Sequence, residues 1–223
     1  MKVMMFNSLL MLSSIILYSQ TNKNKKNMMG KIEITTAMSK AVMAGDVETA
    51  SSLVTENYIQ YTPVVPDRRN GLRGFVAKIK NKEIPAPQIK NVRVFADGDF
   101  VVLHHDVMWP GRKAMFEIYR IENGLAAEHW SGIMDHPEET ANGHTMVDGE
   151  TKIKDKNETE KNKSIARKFV QTVLINGQFD KISSFYDENI IQHNPHFDNT
   201  ISGLVKGMEA LQKQGITIRI QKI

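Results

Sequence analysis

Four stretches in the middle of the chain, Val92–Ala96, Phe100–Trp109, Ala114–Ile121 and Leu125–Met134, are rich in β-branched and aromatic residues. Between them stand Asp97-Gly98-Asp99, Pro110-Gly111 and Glu122-Asn123-Gly124, which are tight-turn signals. The pattern predicts an antiparallel meander. Upstream the period changes. Ile34, Met38, Ala41 and Val42 recur at helical spacing within Ile32–Ala44. Gly45 stops that helix, and Asp46 is placed to cap a second one through about Val54. A third is predicted over Gly71–Lys82, with Phe75 and Ile79 on one side and Pro85 and Pro87 ending the region. Three helices followed by a meander define an α+β fold, with helices packed on one face of a sheet.

Part of this pattern occurs twice. Glu56-Asn57-Tyr58-Ile59-Gln60-Tyr61-Thr62-Pro63 returns 132 positions later as Glu188-Asn189-Ile190-Ile191-Gln192-His193-Asn194-Pro195. The same offset carries Gly45 onto Gly177, Ser51-Ser52 onto Ser183-Ser184 and Gly71-Leu72 onto Gly203-Leu204, with no gap. A period this long reads as a tandem duplication of a whole domain rather than a stacked repeat. The complete copy spans residues 31–149, a charged linker 150–162, and a second copy 163–223. At this offset Ile223 falls on Asn91, so the second copy is expected to lack the meander. About sixty residues of helix without a sheet are marginal for independent folding. The second copy is therefore expected to be poorly ordered or to borrow surface from the first.

Composition changes the picture at three points. The chain has no cysteine, which removes disulfides, thiolate metal sites and cysteine nucleophiles. Its net charge of +4 comes largely with lysines in polar stretches (Lys23, Lys25 and Lys26; Lys152 to Lys163), and no basic face with interleaved aromatics appears, so nucleic acid is not an expected partner. Lys2, the apolar run Met4–Tyr18 and the polar exit Ser19-Gln20-Thr21 read as a signal peptide over residues 1–20, implying export to the periplasm or beyond the cell; an uncleaved N-terminal anchor is the alternative.

Strand alternation gives the first candidate residues. Leu125, Ala127, His129, Ser131 and Ile133 share one face of the last strand. An otherwise apolar face with one imidazole suits a cavity wall, and equally a hydrogen-bonded core histidine. Glu128, Trp130 and Met134 face the other way. His104 and Asp106 share a face on the long strand, either as an oriented acid/base pair or as a polar face in water. They are about 6.6 Å apart along the strand, so a direct bond is not assured. His104, His129 and Glu117 have none of the short spacings of a metal-ligand motif, and there is no glycine-rich phosphate loop.

Several strings then carry a resemblance: Tyr58-Ile59-Gln60 with Pro63 and Gly71-Leu72; Gly98-Asp99-Phe100-Val101-Val102-Leu103-His104; Glu117-Ile118-Tyr119-Arg120-Ile121-Glu122-Asn123-Gly124; Glu128-His129-Trp130; and Asn142-Gly143 with Met146. Together they are similar to the SnoaL-like polyketide cyclases of the nuclear transport factor 2-like superfamily. The resemblance covers nearly all of the first copy and the first half of the second. It implies a cone of helices on a curved antiparallel sheet around an apolar cavity. It further implies aldol-type ring closure by general acid/base chemistry without metal or cofactor, and homodimers formed through the sheet. Carried over residue by residue, the family's acid/base aspartate falls on Ser131, an aspartate of the preceding strand on Glu117, and the histidine of the proline motif on Tyr61, whereas the second copy keeps His193. The candidate catalytic residues are thus His129, His104, Asp106 and Glu117, with Tyr61 and Ser131 as substrate-binding groups. Three functions stay open: a cofactor-independent lyase or isomerase acting on a small apolar carbonyl compound, a non-catalytic binder of small apolar molecules, and an interaction module.

Overall fold

The computed structural model describes residues 30–216; the signal peptide expected over residues 1–20 lies outside them. The chain divides into two compact units, residues 1–135 and 136–223.

In the first unit, α1 covers residues 30–44, followed by α2 (Val47–Ser52), β1 (Val54–Gln60), α3 (Arg68–Lys80), β2 (Gln88–Asp97), β3 (Phe100–Met108), β4 (Arg112–Glu122) and β5 (Leu125–Asp135). Asp46 caps α2, accepting from the Thr49 amide at 3.0 Å. The β4–β5 turn places Asn123 and Gly124 consecutively at positive φ, 50° and 80°, the conformation that a two-residue hairpin of the primed type demands.

The sheet has the order β1-β5-β4-β3-β2. The β2 to β5 meander is antiparallel as expected, but β1 pairs parallel with β5, so the sheet is mixed. The helix expected to reach Val54 ends at Ser52, and a strand follows. Periodicity could not separate the two, because the buried residues of β1, Val54 and Tyr58, are four apart and fit either period. Pairing with β5, distant in sequence, decides. Register shifts in the β1–β5, β2–β3 and β4–β5 ladders bend the sheet. Its concave face carries Val101, Leu103, Tyr119 and Ile121, which join Met38, Ala41, Leu72 and Val76 of the helices in one core. Each large aliphatic residue buried there contributes about 1.5–3 kcal/mol.

The second unit contains α4 (Thr159–Phe169), a π-helical turn over Val170–Ile175, a 3-10 segment Phe179–Ser184 and α5 (Ile201–Lys213). Poor order was one expectation for this region. Instead Val173, Ile182, Leu204 and Met208 form a buried cluster flanked by Phe169, Phe179 and Phe185. These four residues lie 132 positions after Ala41, Ala50, Leu72 and Val76, all buried in the first core. Gly177 has φ +67° and Gly45 has φ +65°. Residues 186–192, in register with β1, are not a strand.

Residues 136–149, read from sequence as the end of the first copy, group with the second unit. The reason is a set of bonds to the 194–199 loop. The Asn142 side-chain amide donates to the carbonyls of Asn194 and Phe197 at 2.9 and 2.8 Å. The Ala141 amide donates to Pro195 O at 2.8 Å, and Asn199 Nδ2 donates to Asn142 O at 3.2 Å. The expected linker is coil at its start, and α4 begins inside it at Thr159.

Candidate acid/base site

In β4 the odd-numbered residues from Met115 to Ile121 face the helices, and in β5 their partners are His129 (opposite Tyr119), Ser131 (opposite Glu117) and Ile133 (opposite Met115). In β3 the inward set is Val101, Leu103, His105 and Val107. Between this face and α1 and α3 lies a cavity of about 90 Å³. Its walls are mostly apolar, with Met38, Val42, Leu72, Phe75, Val107 and Met115 among them. Glu117, Tyr119, His129, Tyr58, Gln60 and the hydroxyls of Thr62 and Ser131 form the polar part of the lining.

Glu117 is the centre of that polar part. Its Oε2 accepts from His105 Nε2 at 2.9 Å, and its Oε1 accepts from the Tyr119 hydroxyl at 3.2 Å. His129 Nε2 stands 3.1 Å from Oε1. The His129 ring stacks on Tyr119 with centroids 4.3 Å apart, and its Nδ1 lies 2.9 Å from Gln60 Oε1. Gln60 Oε1 also accepts from the Thr62 amide at 3.0 Å, while Gln60 Nε2 donates to the Tyr58 hydroxyl at 3.4 Å. The Thr62 N–H can point only at an oxygen, so it fixes which way the Gln60 amide lies. His129 Nδ1 must then carry a proton. A neutral His129 would therefore turn a bare Nε2 lone pair towards an ionised Glu117 oxygen. The 3.1 Å contact is an ion pair without hydrogen-bond geometry, and His129 Nε2 has no other partner.

Burial alone would push the Glu117 carboxyl up. The hydrogen bonds and charge that His105 and His129 bring to it outweigh that, and hold it well below the usual carboxylate range. Burial, reinforced by the Glu117 charge, pushes the Tyr58 and Tyr119 hydroxyls up, so both remain donors at every ordinary pH.

Of the residues singled out in the sequence, His129, Glu117 and Ser131 line the cavity. Ser131 Oγ is tied to Thr62 Oγ1 at 2.7 Å. His104 and Asp106 do not reach the cavity. They lie on the opposite, outer face of β3, His104 stacked on Phe116 with 4.1 Å between centroids and 3.2 Å from Arg93, Asp106 paired with Arg112 at 2.9 Å. Tyr61 is also outside it, stacked on Trp130 at 4.9 Å and bonded to Glu128. Tyr58, Gln60, Tyr119 and His105 were missed. The criterion that selected His129, one imidazole on an otherwise apolar strand face, selects His105 on β3 just as well. Among the described residues no group of three or more His, Asp or Glu is arranged to hold a metal ion.

The first unit is thus an α+β domain of helices on a mixed five-stranded sheet, with a carboxylate–imidazole pair in its cavity. The sequence profile of the SnoaL-like domain matches residues 35–129. No curated protein sequence matches the chain. Among solved structures it is similar to TsrD from Streptomyces laurentii (16% identity, 45% of this chain and 85% of that one, TM-score 0.39). Others are an NTF2-like protein of unknown function from Cytophaga hutchinsonii (15%, 47% and 89%, TM-score 0.41) and an LEH-like epoxide hydrolase from M. tuberculosis (10%, 48% and 85%, TM-score 0.43).

Proposed function

We propose that the first unit is a cofactor-independent acid/base catalyst, a lyase or isomerase of the aldol type, acting on a small, largely apolar carbonyl compound. The observation that carries this reading is the 3.1 Å contact between Glu117 and His129 in a mostly apolar cavity. A carboxylate has about four lone-pair directions, and His105 and Tyr119 occupy two. One of the others takes a proton from the carbon beside the substrate carbonyl, while His129 Nε2 is free to donate to the carbonyl oxygen. That proton passes to Glu117, the C–H electron pair becomes the C=C bond of an enol, and the carbonyl oxygen takes the proton of His129. The site is neutral before and after. Returning a proton to a different carbon gives isomerisation, and attack of the enol on a second carbonyl gives the aldol bond. A carboxylate held this far down is a weak base, and simultaneous donation by His129 offsets that weakness. The cavity volume lies well under the roughly 300–1,000 Å³ of pockets for drug-sized ligands, which limits the substrate to a small molecule.

The test is proton exchange. Small cyclic and acyclic ketones in D₂O, followed by NMR, are expected to exchange their α-protons faster than in buffer, and Glu117→Gln and His129→Gln are expected to abolish the gain. Equal exchange with both variants would overturn the reading. A second reading, a non-catalytic binder, is supported by Ser131, which is bonded to Thr62 where the family's pattern has a carboxylate. Thermal stabilisation by a ketone without any exchange would select it.

Three further expectations belong to this proposal. The exact correspondence of buried residues at an offset of 132 supports a tandem duplication, with the second unit derived from the helical half of the first. Export rests on residues 1–20 alone, and N-terminal sequencing of the mature protein tests it. Homodimerisation through the sheet is supported by Phe95, Phe116, Ile118 and Met134, all exposed on its outer face. Phe116→Glu is expected to turn a sedimenting dimer into a monomer, and an unchanged sedimentation coefficient would remove this expectation.

A further inference from the structure

Opposite His129, on the far side of the same carboxylate, sits a second imidazole that does not line the cavity. His105 is fully buried, its Nε2 is 2.9 Å from Glu117 Oε2, and its Nδ1 has no hydrogen-bond partner. We infer that His105 is a positioning residue: a donor, protonated at Nε2, that fixes Glu117 as the anion and so places the one mobile proton of the site on His129.

A proton on His105 Nδ1 would be a buried N–H without an acceptor, which costs about 1–3 kcal/mol, and a doubly protonated ring would add a buried charge. The tautomer with its proton on Nε2 avoids both, leaving only a bare lone pair at Nδ1. That tautomer spends its proton on Glu117 Oε2, and Tyr119 spends its own on Oε1. Two donors aimed at one carboxyl group favour its ionised form. With Glu117 ionised, the cation that pairs with it across 3.1 Å is assigned to His129. The buried cluster then carries one negative and one positive charge, side by side, with no uncompensated charge. Were His105 the charged ring instead, the proton would sit on a residue that does not line the cavity. His105 therefore decides which histidine can act as the acid.

This rests on the acid/base reading of the cavity, but it is tested without substrate, so its failure and the failure of that reading are separate events. Long-range ¹H–¹⁵N correlation spectra of the ¹⁵N-labelled full chain at neutral pH report which ring nitrogens hold protons. His105 is expected to show one protonated nitrogen, Nε2, and His129 two. His105→Gln keeps an amide donor towards Oε2 and is expected to leave both the ionised ¹³Cδ signal of Glu117 and the doubly protonated His129 unchanged. His105→Leu removes the donor and is expected to move the Glu117 titration to higher pH. If His105→Leu does not fold, the ring-nitrogen pattern and His105→Gln decide alone. A doubly protonated His105 beside a singly protonated His129 would overturn the assignment. So would a Glu117 titration in His105→Leu identical to that of the unsubstituted chain, or loss of the doubly protonated His129 in His105→Gln.

Discussion

Glu117→Gln removes one charge from the centre of the first unit and nearly nothing of its volume. In the native protein the carboxylate accepts from His105 and Tyr119 and lies against His129. A hydrogen bond to a charged acceptor contributes about 1.5–3 kcal/mol, against about 0.5–1.5 for a neutral one. Two such bonds weakened by about 1 kcal/mol each give a loss of about 2 kcal/mol at pH 7. The pH dependence follows from the direction of the shift. The folded carboxyl is held below its unfolded value of about 4.3, so its contribution is complete above that value and is lost as pH falls towards the folded one. The stability difference between the two proteins is expected to be flat from pH 7 to 5 and then to shrink by about 1.4 kcal/mol per pH unit. Urea titrations at pH 7, 5, 4 and 3 measure it. Tryptophan fluorescence reports the first unit selectively, since the chain's two tryptophans are Trp109 and Trp130. Equal midpoints at pH 7, or a difference that persists unchanged at pH 3, would refute an ionised Glu117.

Four other substitutions test other parts of the structure. Ser131→Asp breaks the bond to Thr62 and sets a carboxylate directly across the ladder from Glu117; a loss of about 1–2 kcal/mol at pH 7 is expected, smaller at pH 4 where the new group can protonate, and an undiminished loss in urea titrations at pH 4 contradicts the like-charge argument. Gly71→Ala and Gly74→Ala lie in one helix but differ in surroundings, since a Cβ at 71 would lie 1.9 Å from the Pro66 carbonyl oxygen whereas one at 74 meets nothing within 4 Å. The first is expected to lose about 3 kcal/mol and the second to gain up to about 1 kcal/mol, and thermal melts that reverse this order would discard the close approach. In the second unit, the Asp148 carboxyl is raised by burial but lowered more by the Thr145 amide and by His144 and His193. Asp148→Ala is expected to speed hydrogen exchange at the Thr145 amide, with the difference present above a carboxylate's ordinary range near pH 3.9 and fading below it; identical exchange at pH 6 would show that Asp148 does not hold this segment.

The meander was legible because its signal is local. Each hairpin pairs neighbours across a turn written in glycine, asparagine and aspartate, and all four strands fall within a few residues of where alternation put them. β1 was not legible, because what makes it a strand is a partner some seventy residues away. Half of the site was readable for the same kind of reason. Alternation groups His129 with Ser131, and the motif around Glu117 marks its strand. Alternation does not say which of two faces is the inner one when a strand carries His104 and His105 side by side. The pairing of Glu117 with His105 across two strands settles that, and it depends on register, which no single strand contains.

The parallel pairing of β1 with β5 also sets an order of events. Val54 meets Ala126 and Gln60 meets His129, so the first strand of the sheet is completed only by the last one made. During synthesis the helices and the β2–β4 hairpins can form as they emerge, but the polar end of the cavity cannot. Gln60 reaches its histidine only when β5 is in place, and until then Glu117 lacks one of its three partners. The strand that seals the sheet of the first unit is therefore also the one that brings His129 to Gln60 and Glu117.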